Sequence, residues 1–417
     1  MSEFISLTEI KIALDFGEDT IPVGRLASRN RKIYFEYDAA FLARGLNISP
    51  LELPFQTGVQ TFDPHLFEGL PGVFNDSLPD GWGRLLLDRL LRSQHILRGE
   101  ISPLDRLAHV GLTGIGALVY ETEYDVDFIL SNTSESINLD TLAVHTQEVL
   151  DGDAEDILQE LFALNGSSTG ARPKALIGVD AEHKSIIHGK NALPDNFQYW
   201  LVKFANSMDG NDAGAIEYVY SIMAKEAGLT MTETHLFSSS QGAGYFSTQR
   251  FDRNENRRFH AHTACGLLHS DFRTPSLDYE DLLALTQVLT RDVREVEKMF
   301  RLAVFNVLSH NRDDHSKNFT FLMDARGEWK LSPAYDLTFS SGPRGEQSTM
   351  VMGEGKNPSL KHLLKLAVDI KIDGTKIDEI IEQTCHALNQ WMVLAKEHGV
   401  SQGNIELINS KIETNFQ

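Results

Sequence analysis

The chain contains few cysteines, no long apolar run and no excess of basic residues. Its two cysteines, Cys265 and Cys385, lie far apart among 417 residues. This argues against a disulfide framework and favours a reducing compartment. No apolar run is long enough to cross a bilayer. The first residues, MSEFISLTEIKIALDFGEDT, are acidic where a signal peptide has a basic flank. We therefore expect a cytoplasmic protein that does not contact a membrane.

The charge balance limits the partners of the chain. Its 59 acidic residues outnumber 38 lysines and arginines, which gives a net charge of −21. Duplex DNA binding draws most of its affinity from the neutralisation of phosphates, so an acidic chain is a poor DNA binder by itself. Internal repeats and low-complexity tracts are also absent. The length predicts two or three packed units.

The pattern of apolar residues divides the chain into four segments. Residues 1–120 contain the strand patterns KIALDF, RKIYFEYD and GALVYE, with one clear helix, DGWGRLLLDRLLRSQHIL. Residues 121–160 are an acidic connector with a helical stretch, LDTLAVHTQEVLDG. Residues 161–252 return to strands, interrupted by the helix AIEYVYSIMAKEAGL, and residues 253–417 are mostly helical. This order predicts an α+β fold of two lobes with a cleft between them.

The densest cluster of charge is HNRDDHSKNF, residues 310–319. It follows the apolar helical pattern DVREVEKMFRLAVFNVLSH, for which Asp292 is a suitable N-cap. A predicted hairpin, FTFLMD to WKLS, comes next, and PAYDLTF with Asp336 follows it. Protein kinases have the same order: an Asp-x-x-x-x-Asn loop, a hairpin and a magnesium-binding aspartate.

Phosphoryl transfer would account for the residue types in this loop. Asp313 can orient the proton of an attacking hydroxyl group. Asn318 and Asp336 offer hard oxygen atoms, which are the ligands that magnesium prefers. Lys317 can neutralise charge on the transferred group. The alternative is a polar surface loop in which Asn311 caps the preceding helix.

Two further features suit a kinase. Lys203 lies in the apolar strand YWLVKFA, where a lysine could hold nucleotide phosphates, although lysines on edge strands are common. Glu217 opens the next helix and could pair with it, or could simply complement the helix dipole. The stretch NGSSTGARPKALIG, residues 165–178, follows neither standard phosphate-loop motif. Its small residues could still aim backbone N–H groups at phosphates, and a plain β-turn is the alternative.

Seven motifs, in family order, resemble the HipA family, the serine/threonine kinase toxins of HipBA toxin–antitoxin modules. They are FNDSLPDGWGRLLLDRLL, GSSTGARPKA, WLVKF, AIEYVYSIMAKEAGL, QRFDR, NRDDHSKNF and PAYDL, spread over residues 70–340. The resemblance implies a bilobal protein-kinase-like fold, with a strand-rich N-terminal lobe, a mostly helical C-terminal lobe and a HipA N-terminal subdomain over residues 1–120. It also implies ATP and Mg2+ as cofactors.

The resemblance assigns roles to individual residues. Asp313 matches the catalytic aspartate, and Asn318 and Asp336 match the magnesium ligands. The positions that match ATP-binding residues are Thr169, Gly170, Ala171, Arg172, Pro173 and Lys174 in the phosphate loop, Lys203, the adenine segment Gln249, Arg250 and Phe251, and His315, Ser316, Lys317, Asn318, Tyr335 and Asp336. Gln249 departs from the glutamate common in the family.

The resemblance also implies regulation and partners. Ser167 matches the autophosphorylated serine of the family, and a phosphate there would repel ATP; a serine that serves only the turn is the alternative. The implied partners are a HipB-like helix-turn-helix antitoxin, operator DNA reached through that antitoxin, and a protein substrate such as an aminoacyl-tRNA synthetase. Two other functions stay open. One is a kinase-shaped binding module that acts mainly as a corepressor, and the other is a metal-dependent phosphohydrolase.

Three further patterns fail as sites. HAHTACGLLH carries His260, His262, Cys265 and His269, but its spacing fits no standard zinc finger. DRNENR, residues 252–257, begins like an EF-hand loop and then lacks the required glycine and glutamate. GLTGIGALVYE has the wrong glycine spacing for a dinucleotide and predicts a tight turn.

Overall fold

The computed structural model describes residues 4–122, 136–152, 157–165, 170–189, 193–206, 209–274 and 276–416. Within these ranges, the chain forms a strand-rich front and a mostly helical back, as the sequence predicts. None of the helices in these ranges is both long and apolar enough to cross a membrane.

The first unit is an antiparallel sheet covered by short helices. Its strands are β1 (Glu9–Asp15), β2 (Thr20–Arg29), β3 (Lys32–Tyr37), β4 (Gln60–Thr61) and β5 (Leu118–Glu121), in the order β4-β3-β2-β1-β5. Its helices are α1 (Ala39–Leu42), α2 (Gly72–Asn75), α3 (Gly81–Ser93) and α4 (Pro103–Val110). Apolar side chains of the sheet, α2 and α4 form one core, which also includes Cys265 and Met323 from the later part of the chain.

Helix α3 belongs to a different core from the sheet that precedes it. The sequence predicts an apolar face of Leu85, Leu86, Leu90, Leu91 and Ile96. The structure confirms the burial of Leu86, Leu90 and Leu91 and adds Leu87. Ile96 lies beyond the end of the helix and Leu85 is only half-buried. The buried leucines pack against the second unit of the chain.

The second unit is another antiparallel sheet with helices packed against it. It contains α5 (Leu139–Asp151), α6 (Leu158–Asn165), β6 (Lys174–Asp180), β7 (Ile186–His188), β8 (Phe197–Lys203), α7 (Ala213–Glu226), β9 (Thr234–Phe237) and β10 (Tyr245–Gln249). The strand order is β7-β6-β8-β10-β9. The predicted connector helix is present as α5.

The third unit supplies seven of the fourteen α-helices in the described ranges. Its elements are β11 (Arg253–Asn254), β12 (Arg257–Arg258), β13 (His260–Thr263), α8 (Ala264–Leu267), α9 (Tyr279–Thr290), α10 (Val293–Leu308), β14 (Thr320–Met323), β15 (Trp329–Leu331), α11 (Leu360–Asp369), α12 (Gly374–Leu388), α13 (Trp391–Glu397) and α14 (Gln402–Asn415). The predicted N-cap is confirmed, because the Asp292 side chain accepts a hydrogen bond from Arg294 N. The predicted hairpin is β14 and β15, and β13 pairs with β14 beside it.

Helix α7 precedes the third unit in sequence but packs inside its core. Ala215, Val219, Tyr220 and Met223 are fully buried and share one apolar cluster with α9, α10 and α12 to α14. The N-terminal end of α7 is held there by the Asp212 carboxylate, which accepts hydrogen bonds from the chain at the start of α14. The helix that carries Glu217 is therefore fixed to the helical lobe.

Candidate active site

A buried ion-pair cluster joins the two lobes at the end of β8. The Lys203 ammonium contacts Glu217 Oε1 at 2.5 Å and also contacts Asp336 Oδ1. Burial alone would lower the pKa of Lys203, but Asp336 and Glu217 raise it above its ordinary value. The predicted pairing of Lys203 with Glu217 is thus confirmed, and it brings the strand lysine to the aspartate that follows the hairpin.

Asp336 is ionised and held in an unusual backbone conformation. Burial would raise its pKa, but Lys203 and Lys174 hold the pKa of Asp336 well below its ordinary range. Its φ of 57° lies in the left-handed region, which non-glycine residues seldom occupy. Such conformations cluster at ligand sites, where surrounding contacts enforce them.

The loop of residues 313–318 follows α10, which ends at Leu308, and closes in a short 3₁₀ turn, Ser316–Asn318. Asn318 Nδ2 donates to the Asp313 carbonyl at 2.8 Å, which fixes the two ends of the Asp-x-x-x-x-Asn motif against each other. Asp313 is exposed at the surface of the loop. The surrounding protein still removes part of its hydration, which raises the pKa of Asp313 against the pull of His315.

Asp314, which the sequence reasoning passed over, anchors this loop from below. Its carboxylate is buried and accepts hydrogen bonds from Tyr279 Oη at 2.6 Å and Thr349 N at 3.1 Å. Thr349 Oγ1 also donates to the Asp314 carbonyl. Burial raises the pKa of Asp314 to about 7. The two neighbouring aspartates therefore lie in different environments. The carboxylate of Asp313 is at the surface, and that of Asp314 is buried in the protein.

The phosphate-loop positions are described only from Gly170 onward. Ser167 and Thr169 lie outside the described residues. Arg172 pairs with Asp209 at 3.2 Å and with Glu217 at 3.4 Å.

The residues on either side of Arg172 differ in burial. Ala171 is exposed, whereas Pro173 is buried and its carbonyl accepts from Phe204 N. Lys174 is buried near Lys203, and this burial lowers the pKa of Lys174 to about 8. Three basic side chains thus converge beside Asp336.

The segment predicted to hold adenine is a backbone crossing between the lobes. Gln249 is the last residue of β10, and Arg250 N donates to Tyr199 O at 2.8 Å. The Arg250 guanidinium is not directed to a nucleotide, because it is buried and paired with Asp252 at 2.7 Å. A contribution of Arg250 to adenine binding would have to come from its main chain.

Two aromatic rings lie where this crossing meets the hairpin. The rings of Phe251 and Tyr335 have centroids 5.1 Å apart. Tyr335 Oη donates to the Lys317 carbonyl at 2.6 Å, which fixes the ring to the loop of residues 313–318. His315 packs on Phe272 with centroids 5.4 Å apart.

Other members of the predicted site support the loop rather than the cleft. The hydroxyl of Ser316 is bound to Ser270 O at 3.0 Å. The Lys317 side chain is buried and contacts the Asp80 carboxylate at 2.5 Å. Asp80 belongs to the DGWG motif at the start of α3, and the sequence reasoning found no role for that motif.

The histidine-rich stretch is a packing element. His262 Nδ1 lies 2.7 Å from Asp76 and its Nε2 lies 3.0 Å from Ser49 Oγ. Asp76, His262 and Ser49 are hydrogen-bonded in the same order as the Asp, His and Ser of a serine-hydrolase triad. Ser49 and His262 are buried, however, so no substrate can reach them. Among the residues that the structure describes, no group of three or more His, Cys, Asp or Glu side chains could hold a metal ion.

Comparisons with known proteins agree with the arrangement of these elements. Residues 166–392 match the family described as HipA-like C-terminal domain, and residues 17–121 match the HipA N-terminal domain. The structure is similar to HipA of Shewanella oneidensis MR-1, solved with HipB and operator DNA. The TM-score is 0.69 and the identity 15%, over 97% of this chain and 96% of that one. This similarity confirms the predicted two-lobed α+β fold.

Two other proteins match over shorter stretches. The proinflammatory kinase CtkA of Helicobacter pylori aligns with a TM-score of 0.33 and 14% identity, over 52% of this chain and 91% of that one. The candidate kinase Y4mE of Sinorhizobium fredii is 28% identical over 173 residues, which are 39% of this chain and 36% of that one. The match therefore spans about a third of the length of this curated relative.

Proposed function

Because the chain belongs to the HipA family, we propose that it is an ATP-dependent serine/threonine protein kinase and the toxin of a toxin–antitoxin module. The observation that carries the proposal is the convergence of Lys203, Glu217 and Asp336. A lysine held by a helix glutamate, beside a magnesium-binding aspartate, is the arrangement that phosphoryl transfer requires in protein kinases.

The side chains present fit ATP and Mg2+. Asp336 is ionised, since its pKa is held low, and Asn318 adds a neutral oxygen, so the pair would hold the metal. Lys203, Lys174 and Arg172 would neutralise the phosphates. When bound, the metal nucleotide supplies the phosphoryl group, and the protein positions it and balances its charge.

We assign to Asp313 the role of orienting the hydroxyl group that accepts the phosphoryl group. Its carboxyl lies outside the buried cluster, at the surface of the loop. From there it can accept and orient the proton of an incoming hydroxyl group. A serine or threonine side chain of a cellular protein is the proposed acceptor, with aminoacyl-tRNA synthetases as the candidates that the family suggests, and growth arrest as the result.

Replacement of Asp313 with Asn tests the role of this loop. The variant should fold and bind ATP like the wild type, because only the proton-handling group is lost, while phosphotransfer should be abolished. Incubation with γ-labelled ATP and Mg2+ measures both phosphoprotein and free phosphate. Asp195→Asn, at an exposed position, is the matched control and should stay active.

The same assay separates the alternatives. A phosphohydrolase would release free phosphate without labelling protein. A binding module that acts mainly as a corepressor would do neither, although it would still repress with its antitoxin. Near-normal phosphotransfer by the Asp313→Asn variant would show that the loop has been assigned wrongly.

We also propose that the enzyme phosphorylates itself on Ser167. The serine precedes Gly170 by three positions in the loop that would approach the phosphates. A phosphate adds roughly −1.5 to −2 charges, which would repel ATP and lower both nucleotide affinity and activity. Mass spectrometry of active protein should find phosphate on Ser167 and none on the Asp313→Asn variant. Undiminished ATP binding by the phosphorylated form would contradict this off-switch.

A further inference from the structure

Asp80 joins the N-terminal unit to two loops of the proposed active site. Its Oδ1 accepts a hydrogen bond from Gly170 N at 2.5 Å, and its Oδ2 accepts one from Lys317 Nζ, also at 2.5 Å. Gly170 precedes the basic residues of the phosphate loop, and Lys317 lies between Asp313 and Asn318. One carboxylate from the first unit thus fixes segments of the second and third units.

The contact with the phosphate loop uses both backbone polar groups of Gly170. Besides the bond to Asp80, the Gly170 carbonyl accepts a hydrogen bond from Trp82 N at 3.1 Å. Gly81, between the two partners, has a φ of 44°, and a Cβ on it would overlap the Gly170 carbonyl. The DGWG motif therefore needs a glycine at position 81, because the backbones of Gly81 and Gly170 approach each other closely.

The sequence predicts that Lys317 neutralises charge on the transferred phosphoryl group, but in the structure its side chain faces the N-terminal unit. Its ammonium is bound to Asp80 and lies 4.8 Å from the centre of the Phe272 ring. The Lys317 side chain is only 5% exposed. Burial would lower the pKa of Lys317, but Asp80 and Asp76, both in the first unit, raise it. In this position the lysine can act on catalysis only through the group that holds it.

We propose that Asp80 is a positioning residue, which sets the phosphate loop and the catalytic loop at the separation that phosphoryl transfer needs. The inference rests on the proposed function and gives the N-terminal unit a part in it. A carboxylate suits this position because each of its two oxygens accepts from one donor. An amide could accept from only one of them and would present its own N–H group to the other.

The first test is Asp80→Asn. A small misplacement of reacting groups costs up to about 100-fold in rate. We therefore expect the initial rate of γ-phosphate transfer to fall at least about tenfold. Nucleotide affinity, measured with TNP-ATP, should change by less than about threefold, since the contacts of Lys203 with Glu217 and Asp336 are untouched. Asp88→Asn is the control, because Asp88 lies on the same helix and pairs with Arg84 on its surface.

A double variant distinguishes positioning from stability. Replacing a buried ion pair by apolar groups of similar volume often preserves stability, so Asp80→Leu with Lys317→Met should stay folded, with a moderate fall in unfolding temperature because Gly170 N loses its acceptor. Its transfer rate should nevertheless stay low. This variant also decides the matter if Asp80→Asn fails to fold.

The outcomes separate the inference from the proposal beneath it. A wild type that transfers no phosphate would overturn the proposed function, and this inference with it. An active wild type together with an equally active double variant would overturn the inference alone. A rate loss matched by an equal loss of TNP-ATP affinity would also count against it, since Asp80 would then serve binding only.

Discussion

At the scale of single residues, the basic cluster beside Asp336 has one member that titrates near neutrality. Burial, with the charge of Lys203 close by, lowers the pKa of Lys174 to about 8. The pKa values of Lys203 and Arg172 are raised by their carboxylate partners, so both stay charged throughout this range. Lys174 is therefore the basic group whose charge depends on modest changes of pH.

This leads to a pH dependence of nucleotide binding. Phosphates favour the charged form of Lys174, and as pH rises through about 8 the free protein loses that charge. We expect the affinity for a non-hydrolysable ATP analogue to fall by about tenfold between neutral and alkaline pH, from a charge-assisted hydrogen bond of roughly 1.5 kcal/mol. Calorimetric titration at both pH values measures it.

Lys174→Arg is the matched control, because a guanidinium remains charged at both pH values. The variant should bind the analogue with little pH dependence. An equally steep fall of affinity in Lys174→Arg would assign the titration to another group.

At the scale of elements, α14 supports both halves of the site. Its N-terminal end meets Asp212, which begins the Glu217 helix, and Asn415 at its other end donates to the Val307 carbonyl, where α10 runs into the catalytic loop. Ile405, Ile408 and Ile412 are its buried side chains. Helix α14 thus stabilises the position of the loop that contains Asp313.

Ile408→Ala should therefore destabilise the protein. Ile408 is 1% exposed, and truncation of such a side chain costs about 2–5 kcal/mol. Leu407→Ala on the opposite face is the control, since Leu407 is 47% exposed and should cost no more than about 0.5 kcal/mol. Urea unfolding monitored by circular dichroism gives both values. Equal costs at the two positions would mean that α14 is not packed as described.

Elements with a strong local pattern could be predicted from the sequence. The apolar positions of α10 repeat at helical spacing, and strands β14 and β15 lie on either side of strong turn residues. Strand β2 was missed because Pro22 and Gly24 normally interrupt strands. The structure accepts Pro22 where a bulge shifts the register against β1, and Gly24 where the backbone of Glu36 passes too closely for a Cβ.

Contacts between distant parts of the chain could not be predicted in this way. The bond between Asp80 and Lys317 joins residues 237 positions apart, and no periodicity relates their segments. Asp314 was missed for a similar reason, because its partners, Tyr279 and Thr349, come from two other regions of the helical lobe. The order of motifs along the chain predicts the candidate catalytic residues, but it does not predict the residues that hold them in place.

At the scale of the whole molecule, the charge of −21 bears on the proposed partners. An acidic protein gains little from DNA phosphates, so we expect operator contact to come from a dimeric helix-turn-helix antitoxin on which this chain docks. In gel-shift assays at physiological salt, the chain alone should leave its promoter fragment unshifted. The antitoxin should shift the fragment, and the chain should shift that complex further.

Tight binding of the purified chain alone to its promoter would contradict this division of roles. A fragment of scrambled sequence is the control for the specificity of the antitoxin. Production of the chain without the antitoxin should also slow growth, and the Asp313→Asn variant should relieve that effect.

The exchange of helices between the three units restricts how proteins of this kind can be recombined. Helix α3 is encoded with the first sheet but completes the core of the second, and α7 is encoded with the second sheet but completes the core of the third. A crossover between relatives at either sequence boundary would separate a helix from the surface it evolved against. We therefore expect chimaeras joined at either boundary to be less stable than both parents, because the transferred helix would meet a surface with different side chains.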